Sequence, residues 1–128
     1  MLTVKTEIKE SPGKGAGIFT LEYIEERKVI WIENPMFYKI IPYYEYERLP
    51  DLQKEFIKKY ATHYPEESMF YLDLDNTRFI NHSNNPNMEW SGNIGYAKRD
   101  IFRGEEITCN YVALNPSNVA LDFIRNQD

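Results

Sequence analysis

The sequence predicts a mostly-β, single-domain α+β fold with one helical insert, and three observations carry that prediction. Aromatic residues make up 15% of the chain, with ten Tyr, seven Phe and two Trp, and aromatic side chains favour pleated surfaces over helical bundles. Short stretches alternate between apolar and polar residues, and Gly, Pro, Asn or Ser clusters separate them. The 128 residues, 42% of them hydrophobic, suit one domain with one core.

The elements follow in order. Thr3 to Ile8 alternates, with Val4, Thr6 and Ile8 on one face, and reads as a strand. Ser11 to Gly15 is a turn cluster. Ile18-Phe19, Val29–Ile32 and Met36–Ile41 read as short strands, the last two divided by Pro35, which cannot donate to a ladder. From Tyr43 to Tyr60 the period becomes helical. Asp51 precedes Leu52, Phe56 and Tyr60 at i, i+4 and i+8, and Lys54, Glu55, Lys58 and Lys59 are polar. This places a helical insert at about residues 42–67. Met69–Leu74 alternates again, with Phe70, Leu72 and Leu74 on one side. Met88–Trp90 and Ile94–Ala97 flank Ser91-Gly92-Asn93, a hairpin signal. Ile107–Tyr111 is the last strand. In the tail, about residues 112–128, Ser117 is placed to cap a short helix carrying Val119, Ala120, Phe123 and Ile124.

Composition narrows the functional classes. Fifteen basic against twenty acidic residues leave a net charge of −5, the opposite of the basic footprint of a nucleic-acid binder. An acidic surface attracts cationic partners such as lysine-rich peptides. No apolar run is long enough for a membrane span, and MLTVKTEIKE does not read as a secretory signal. A single cysteine, Cys109, excludes a disulfide framework and a Cys-rich zinc site. These features fit a reducing, cytoplasmic setting.

Three segments stand out as carriers of chemistry. Gly13-Lys14-Gly15-Ala16-Gly17 lacks the Ser or Thr of a phosphate-binding loop and precedes a strand rather than a helix. It reads either as a plain glycine turn or as backbone brought close to a ligand. Arg78-Phe79-Ile80-Asn81-His82-Ser83-Asn84-Asn85-Pro86-Asn87 is too rich in Asn, His and Ser for an ordinary strand and requires side-chain bonding to backbone. With His63 and His82 nineteen residues apart and one thiol, no metal site is expected. Arg103-Gly104-Glu105-Glu106-Ile107-Thr108-Cys109-Asn110-Tyr111 reads as a turn leading into a strand.

Together and in this order, these segments resemble the SET-domain protein lysine methyltransferases. The likeness rests on Lys14-Gly15-Ala16-Gly17-Ile18-Phe19, on Arg78–Asn87 with its Asn-His-Ser and Pro-Asn, and on Gly104-Glu105-Glu106-Ile107-Thr108 followed by Tyr111. It covers about residues 4–112. It implies small curled sheets with a C-terminal segment threaded under a loop as a pseudoknot. It also implies S-adenosyl-L-methionine as cofactor and a lysine-containing, basic protein or peptide as substrate. By the same resemblance Lys14, Gly15, Ala16 and Gly17 hold the cofactor's amino-acid end, and Arg78, Phe79, Asn81 and His82 line it. Tyr111 stands beside the transferring methyl group as the catalytic tyrosine.

The chain departs from the family pattern in four places. There is no cysteine cluster after the last strand, so the tail must close the site otherwise, with Phe123 either stacking on adenine or simply packing in the core. Asn110 stands where Asp often precedes the tyrosine. Glu33 falls where many members carry a channel tyrosine, so the lysine channel is expected to be built differently. Trp90 falls where members carry Tyr or Phe, and it is either a channel wall limiting the product to monomethyl-lysine or a core residue. Tyr38, Tyr43, Tyr44, Tyr71 and Tyr96 are all candidates for channel lining. Glu33 and Trp90 leave open a second reading, a module that binds cofactor or peptide with little or no turnover. A thiol hydrolase built on Cys109 and His82 is disfavoured, because Cys109 sits within a strand with no helix N-terminus to activate it.

Overall fold

The computed structural model describes residues 1–111. The tail helix expected after Ser117, and Phe123 with it, lie outside the described residues. Within them ten strands form four small sheets: β1 (Thr6–Ser11), β2 (Gly15–Thr20), β3 (Val29–Ile32), β4 (Tyr38–Pro42), β5 (Thr62–Tyr64), β6 (Met69–Asp73), β7 (Asn81–His82), β8 (Met88–Ser91), β9 (Ile94–Ala97) and β10 (Thr108–Cys109). β1 pairs with β2, β9 lies between β3 and β8, β6 lies between β4 and β5, and β7 pairs with β10. Among the described residues no helix is long and apolar enough to cross a membrane.

Several elements differ from the sequence reading. The first strand runs from Thr6 to Ser11 rather than from Thr3, because its partners are Gly15–Thr20 and the turn between them needs Gly13 at φ +78° and Gly15 at φ +80°. Met36 does not start a strand. Pro35–Phe37 form a 3-10 turn in which the Asn34 side chain accepts from the Met36 amide. The insert holds two helices, α1 (Tyr43–Tyr46) and α2 (Asp51–Tyr60), since Pro50 supplies no amide to continue the first. The expected Leu52–Phe56–Tyr60 stripe is not the packed face: Leu52 is 77% exposed, whereas Ile57 is buried and Leu49 and Tyr60 pack beside it. Leu52 and Phe56 each sit one residue before that buried row, about 100° round the helix.

Two apolar cores result. The larger gathers Ile18, Ile24, Ile30, Met88, Ile101 and Ile107 from β2, β3, β8 and the loops around them. The smaller lies under the insert and joins Ile41, Tyr46, Ile57, Phe70 and Leu72. The β8–β9 hairpin forms as its sequence predicts, with Gly92 at φ +60° in the turn.

The Asn-rich run, too polar for an ordinary strand, contributes only Asn81-His82 to a parallel pair with Thr108-Cys109. Asn87 splices the same two segments. Its side chain is 2% exposed; Nδ2 donates to the Glu106 carbonyl at 2.7 Å and Oδ1 accepts from the Thr108 amide at 2.9 Å. Replacing it leaves a buried carbonyl and a buried amide unpaired. Asn87→Ala is expected to lower unfolding stability by about 2–4 kcal/mol, read from the urea midpoint. A loss of a few tenths would show the pairing to be dispensable.

Candidate active site

The three motif segments meet through polar contacts, most of them partly buried. Lys14 Nζ donates to the His82 carbonyl at 2.9 Å, and Asn81 Nδ2 donates to the Ala16 carbonyl at 3.0 Å and to Glu106 Oε2 at 2.8 Å. Glu106 Oε1 accepts from Ser11 Oγ at 2.7 Å. A side chain on Gly17 would meet Glu106 Oε2 at 2.5 Å, so glycine is required here for close approach rather than for an unusual φ. These contacts place Lys14 against His82, and Ala16 and Gly17 against Asn81.

His82 is fully buried and sets the position of Tyr111. Its Nδ1 accepts from the Tyr111 amide at 3.2 Å, which assigns the ring N–H to Nε2, 2.9 Å from Asn84 Oδ1. The Tyr111 hydroxyl donates to the Ile80 carbonyl at 2.5 Å. Burial, with smaller contributions from Cys109 and Glu106, pushes its ionisation well above the ordinary phenol range, so it acts as a neutral hydroxyl.

Tyr111 borders a narrow cavity of about 100 Å³ at the seam between the two cores. Tyr60 and Ala61 wall it from the insert, and Ile80 and Cys109 from the larger core. Arg78 also borders it. The guanidinium lies 5.0 Å from the Phe79 ring centroid and 6.0 Å from that of Tyr60, and its Nε is buried without a hydrogen-bond partner. Lys58 and Lys59 stand at the same cavity. This side of the seam offers donors and positive charge, which suits a ligand bearing a carboxylate or other acceptors. Of the residues assigned to the cofactor, Arg78 and Tyr111 border this cavity, whereas Lys14, Gly15, Ala16, Gly17, Phe79, Asn81 and His82 do not. The donors at Arg78, Lys58 and Lys59 suit the carboxylate end of an amino-acid-bearing cofactor such as S-adenosylmethionine.

A wider cavity of about 290 Å³ lies on the other side of the seam. Tyr38, Tyr64 and Tyr71 line it, with Tyr38 and Tyr71 stacked at 4.4 Å and Tyr64 edge-on to Tyr71 at 6.5 Å. The other candidates for channel tyrosines go elsewhere. Tyr43 bonds His63 and packs by the smaller core, Tyr44 is 68% exposed, and Tyr96 donates to Glu89 on the surface. Glu33 borders the wider cavity. Trp90 borders both cavities and packs edge-on against Trp31 at 4.7 Å, so it is a core residue and a cavity wall at once. Gly95, opposite it on β9, has no room for a Cβ, which would meet Met88 Cε and come within 3.2 Å of Trp31 Cβ and Trp90 Cε3.

Cys109 is 2% exposed, and burial pushes its thiol up to about 12. It is a protonated core residue rather than a nucleophile, which removes the hydrolase reading. Among the described residues no group of three or more His, Cys, Asp or Glu is placed to hold a metal. Phe123 lies outside the described residues. Sequence reasoning passed over Glu106, Asn87, Thr62 and Asp73 as site residues. For Asp73 the signal was present: if Phe70 and Leu72 face the core, alternation turns Tyr71 and Asp73 the other way.

The comparisons agree with this geometry. A candidate histone methyltransferase of Plasmodium falciparum superposes with TM-score 0.60 at 27% identity, covering 86% of this chain and 95% of that one. The methyltransferase domain of the human histone-lysine N-methyltransferase SETMAR gives 0.63 at 23%, covering 94% of this chain and 48% of that one. The Chaetomium thermophilum polycomb complex ctPRC2, bound to S-adenosylmethionine, gives 0.59 at 24%, covering 84% of this chain. The chain thus spans about half of the human protein's length (48%) and 15% of the polycomb chain's; at these identities both show the fold alone. A search of curated proteins finds no match. The profile of the SET domain matches residues 15–112, and the chain belongs to the SET-domain family.

Proposed function

We propose that this chain is an S-adenosylmethionine-dependent protein-lysine N-methyltransferase. One observation carries the reading: a donor-rich cavity bordered by Arg78 and Tyr111 adjoins an aromatic, acidic cavity, and the two share a wall. Family membership and the relatives' activities support methyl transfer in general. The cofactor and the lysine substrate are inferences from them and from this geometry.

When bound, S-adenosylmethionine supplies an electrophilic methyl group on a positively charged sulfur. The chain's own residues have to hold the reactants in line and keep the acceptor amine neutral. Lys14–Gly17, Arg78, Phe79, Asn81 and His82 are assigned to holding the cofactor. The Tyr111 oxygen, fixed by its bond to the Ile80 carbonyl, keeps lone pairs free to orient cationic groups. A lysine entering beside a sulfonium loses its proton to water more readily, because a neighbouring cation disfavours a second one. Tyr38, Tyr64 and Tyr71 offer ring faces to the aliphatic stem and the ammonium of a basic protein substrate.

Incubation with radiolabelled S-adenosylmethionine and mixed core histones or lysine-rich lysate proteins tests the reading directly. Label on lysine supports it; cofactor binding without any labelled protein overturns it in favour of a binding module. Tyr111→Phe is expected to keep cofactor binding and to lower turnover by more than about tenfold, roughly 1.4 kcal/mol in the barrier. Near-normal turnover would remove Tyr111 from the chemistry. Asn81→Ala should weaken cofactor binding in a calorimetric titration and lower stability by about 0.5–1.5 kcal/mol, since the Ala16 carbonyl and one Glu106 oxygen lose a donor. Trp90→Phe is expected to raise the share of di- and trimethyl-lysine in mass spectra; an unchanged distribution would make Trp90 a packing residue only.

A further inference from the structure

We propose that Asp73, on the wall shared by the two cavities, is the specificity-determining carboxylate that receives the ammonium of the incoming side chain. The inference deepens the methyltransferase reading and rests on it. Three described residues border both cavities: Thr62, Asp73 and Trp90. Asp73 alone among them is ionisable. A side chain that enters from the wider cavity toward Tyr111 therefore passes this carboxylate.

The two cavities differ in charge around it. The narrow one is bordered by Lys58, Lys59 and Arg78. The wider one is bordered by Glu33 and Asp73, and none of its described lining residues is Lys, Arg or His. A negative, aromatic cavity without a resident cation is matched to a cationic ligand. A separate observation agrees: the Tyr71 hydroxyl at this wall is buried with no hydrogen-bond partner, and a buried hydroxyl in that state calls for a ligand that can donate to it. An ammonium group has three donors to give.

The groups facing Asp73 explain its state. Burial first, then the Asp75 carboxylate, push its carboxyl up to about 7; the Met1 amine opposes this and Glu33 adds to it. Tyr38 pairs with it across β4 and β6, and Tyr64 and Tyr71 lie on the same cavity. Lys58, Lys59 and Arg78 stand on the narrow side. A cation arriving beside Asp73 favours its ionised form and is favoured by it. Affinity for a cation should thus rise as pH climbs through about 7, where the carboxyl deprotonates. A neutral side chain gains nothing from that change.

The test uses n-butylammonium, which carries the end of a lysine side chain, with n-butanol as its neutral counterpart. Carboxyl carbon resonances of the labelled protein are followed against pH. The Asp73 midpoint is expected to fall when n-butylammonium is added and to stay put with n-butanol. Affinity for n-butylammonium should rise about tenfold between about pH 6 and about pH 8, and Asp73→Asn should abolish that rise. If n-butylammonium fails to bind, or binds without moving the Asp73 midpoint, the proposal is wrong. Should Asp73→Asn not fold, the wild-type titration decides alone. Histone labelling separates the two ideas. Labelled lysine with an indifferent Asp73 keeps the enzyme and removes the gate; a responsive Asp73 without labelling keeps the cation site and removes the enzyme.

Discussion

The partly buried Glu106 carboxylate holds together segments that are far apart in the chain. One oxygen takes the Ser11 hydroxyl and the other takes the Asn81 amide, across 95 and 25 residues of sequence. Charge-assisted hydrogen bonds to a carboxylate are stronger than neutral ones, so the glycine turn and the Asn-His strand are both drawn to it. Gly17 must be bare to admit it. With Asn81 fixed, β7 has one register available against β10. His82 then presents Nδ1 to the Tyr111 amide. The position of Tyr111 is thus inherited, contact by contact, from a carboxylate that does not line the cavity Tyr111 borders.

The second constraint is the division of the apolar interior. One core is built on β2, β3 and the β8–β9 hairpin, and the other on the insert with β4 and β6. Neither covers the other's edge completely, and the two cavities lie in the seam. Clefts between packed units are common ligand sites, because their walls stay rigid while their floors stay open. Here the walls also differ in polarity, with cations on one side and carboxylates among tyrosine rings on the other. Low dielectric in such a seam makes these charges felt more strongly than they would be on a surface.

Much of this was legible in the sequence. The three motif segments could be found because they break the apolar rhythm: glycines cluster before β2, and Asn, His and Ser crowd where a strand would need apolar residues. The hairpin at Ser91-Gly92-Asn93 was legible because its turn chemistry is local. The packed face of α2 was not, since Leu52, Phe56 and Tyr60 make as good a stripe as Leu49, Ile57 and Tyr60, and only the sheet beneath chooses between them. The parallel pairing of Asn81-His82 with Thr108-Cys109 joins two-residue strands through long-range contacts that leave no periodic trace. The choice among tyrosines depended on β4, β5 and β6 lying side by side. Asp73 was half legible: alternation gives its face, but nothing local says that a cavity lies there.

Gly95 has a wider meaning. It touches neither cavity, yet it lies under Trp90, Trp31 and Met88 with no spare space. Any side chain there must move the Met88 methyl group and press on Trp31 and on the Trp90 indole, which walls both cavities. The shape of the shared wall is therefore set partly from behind, by a missing methyl group. A lineage can alter which side chains pass without changing a single residue that meets them, and a survey confined to lining residues would overlook the change.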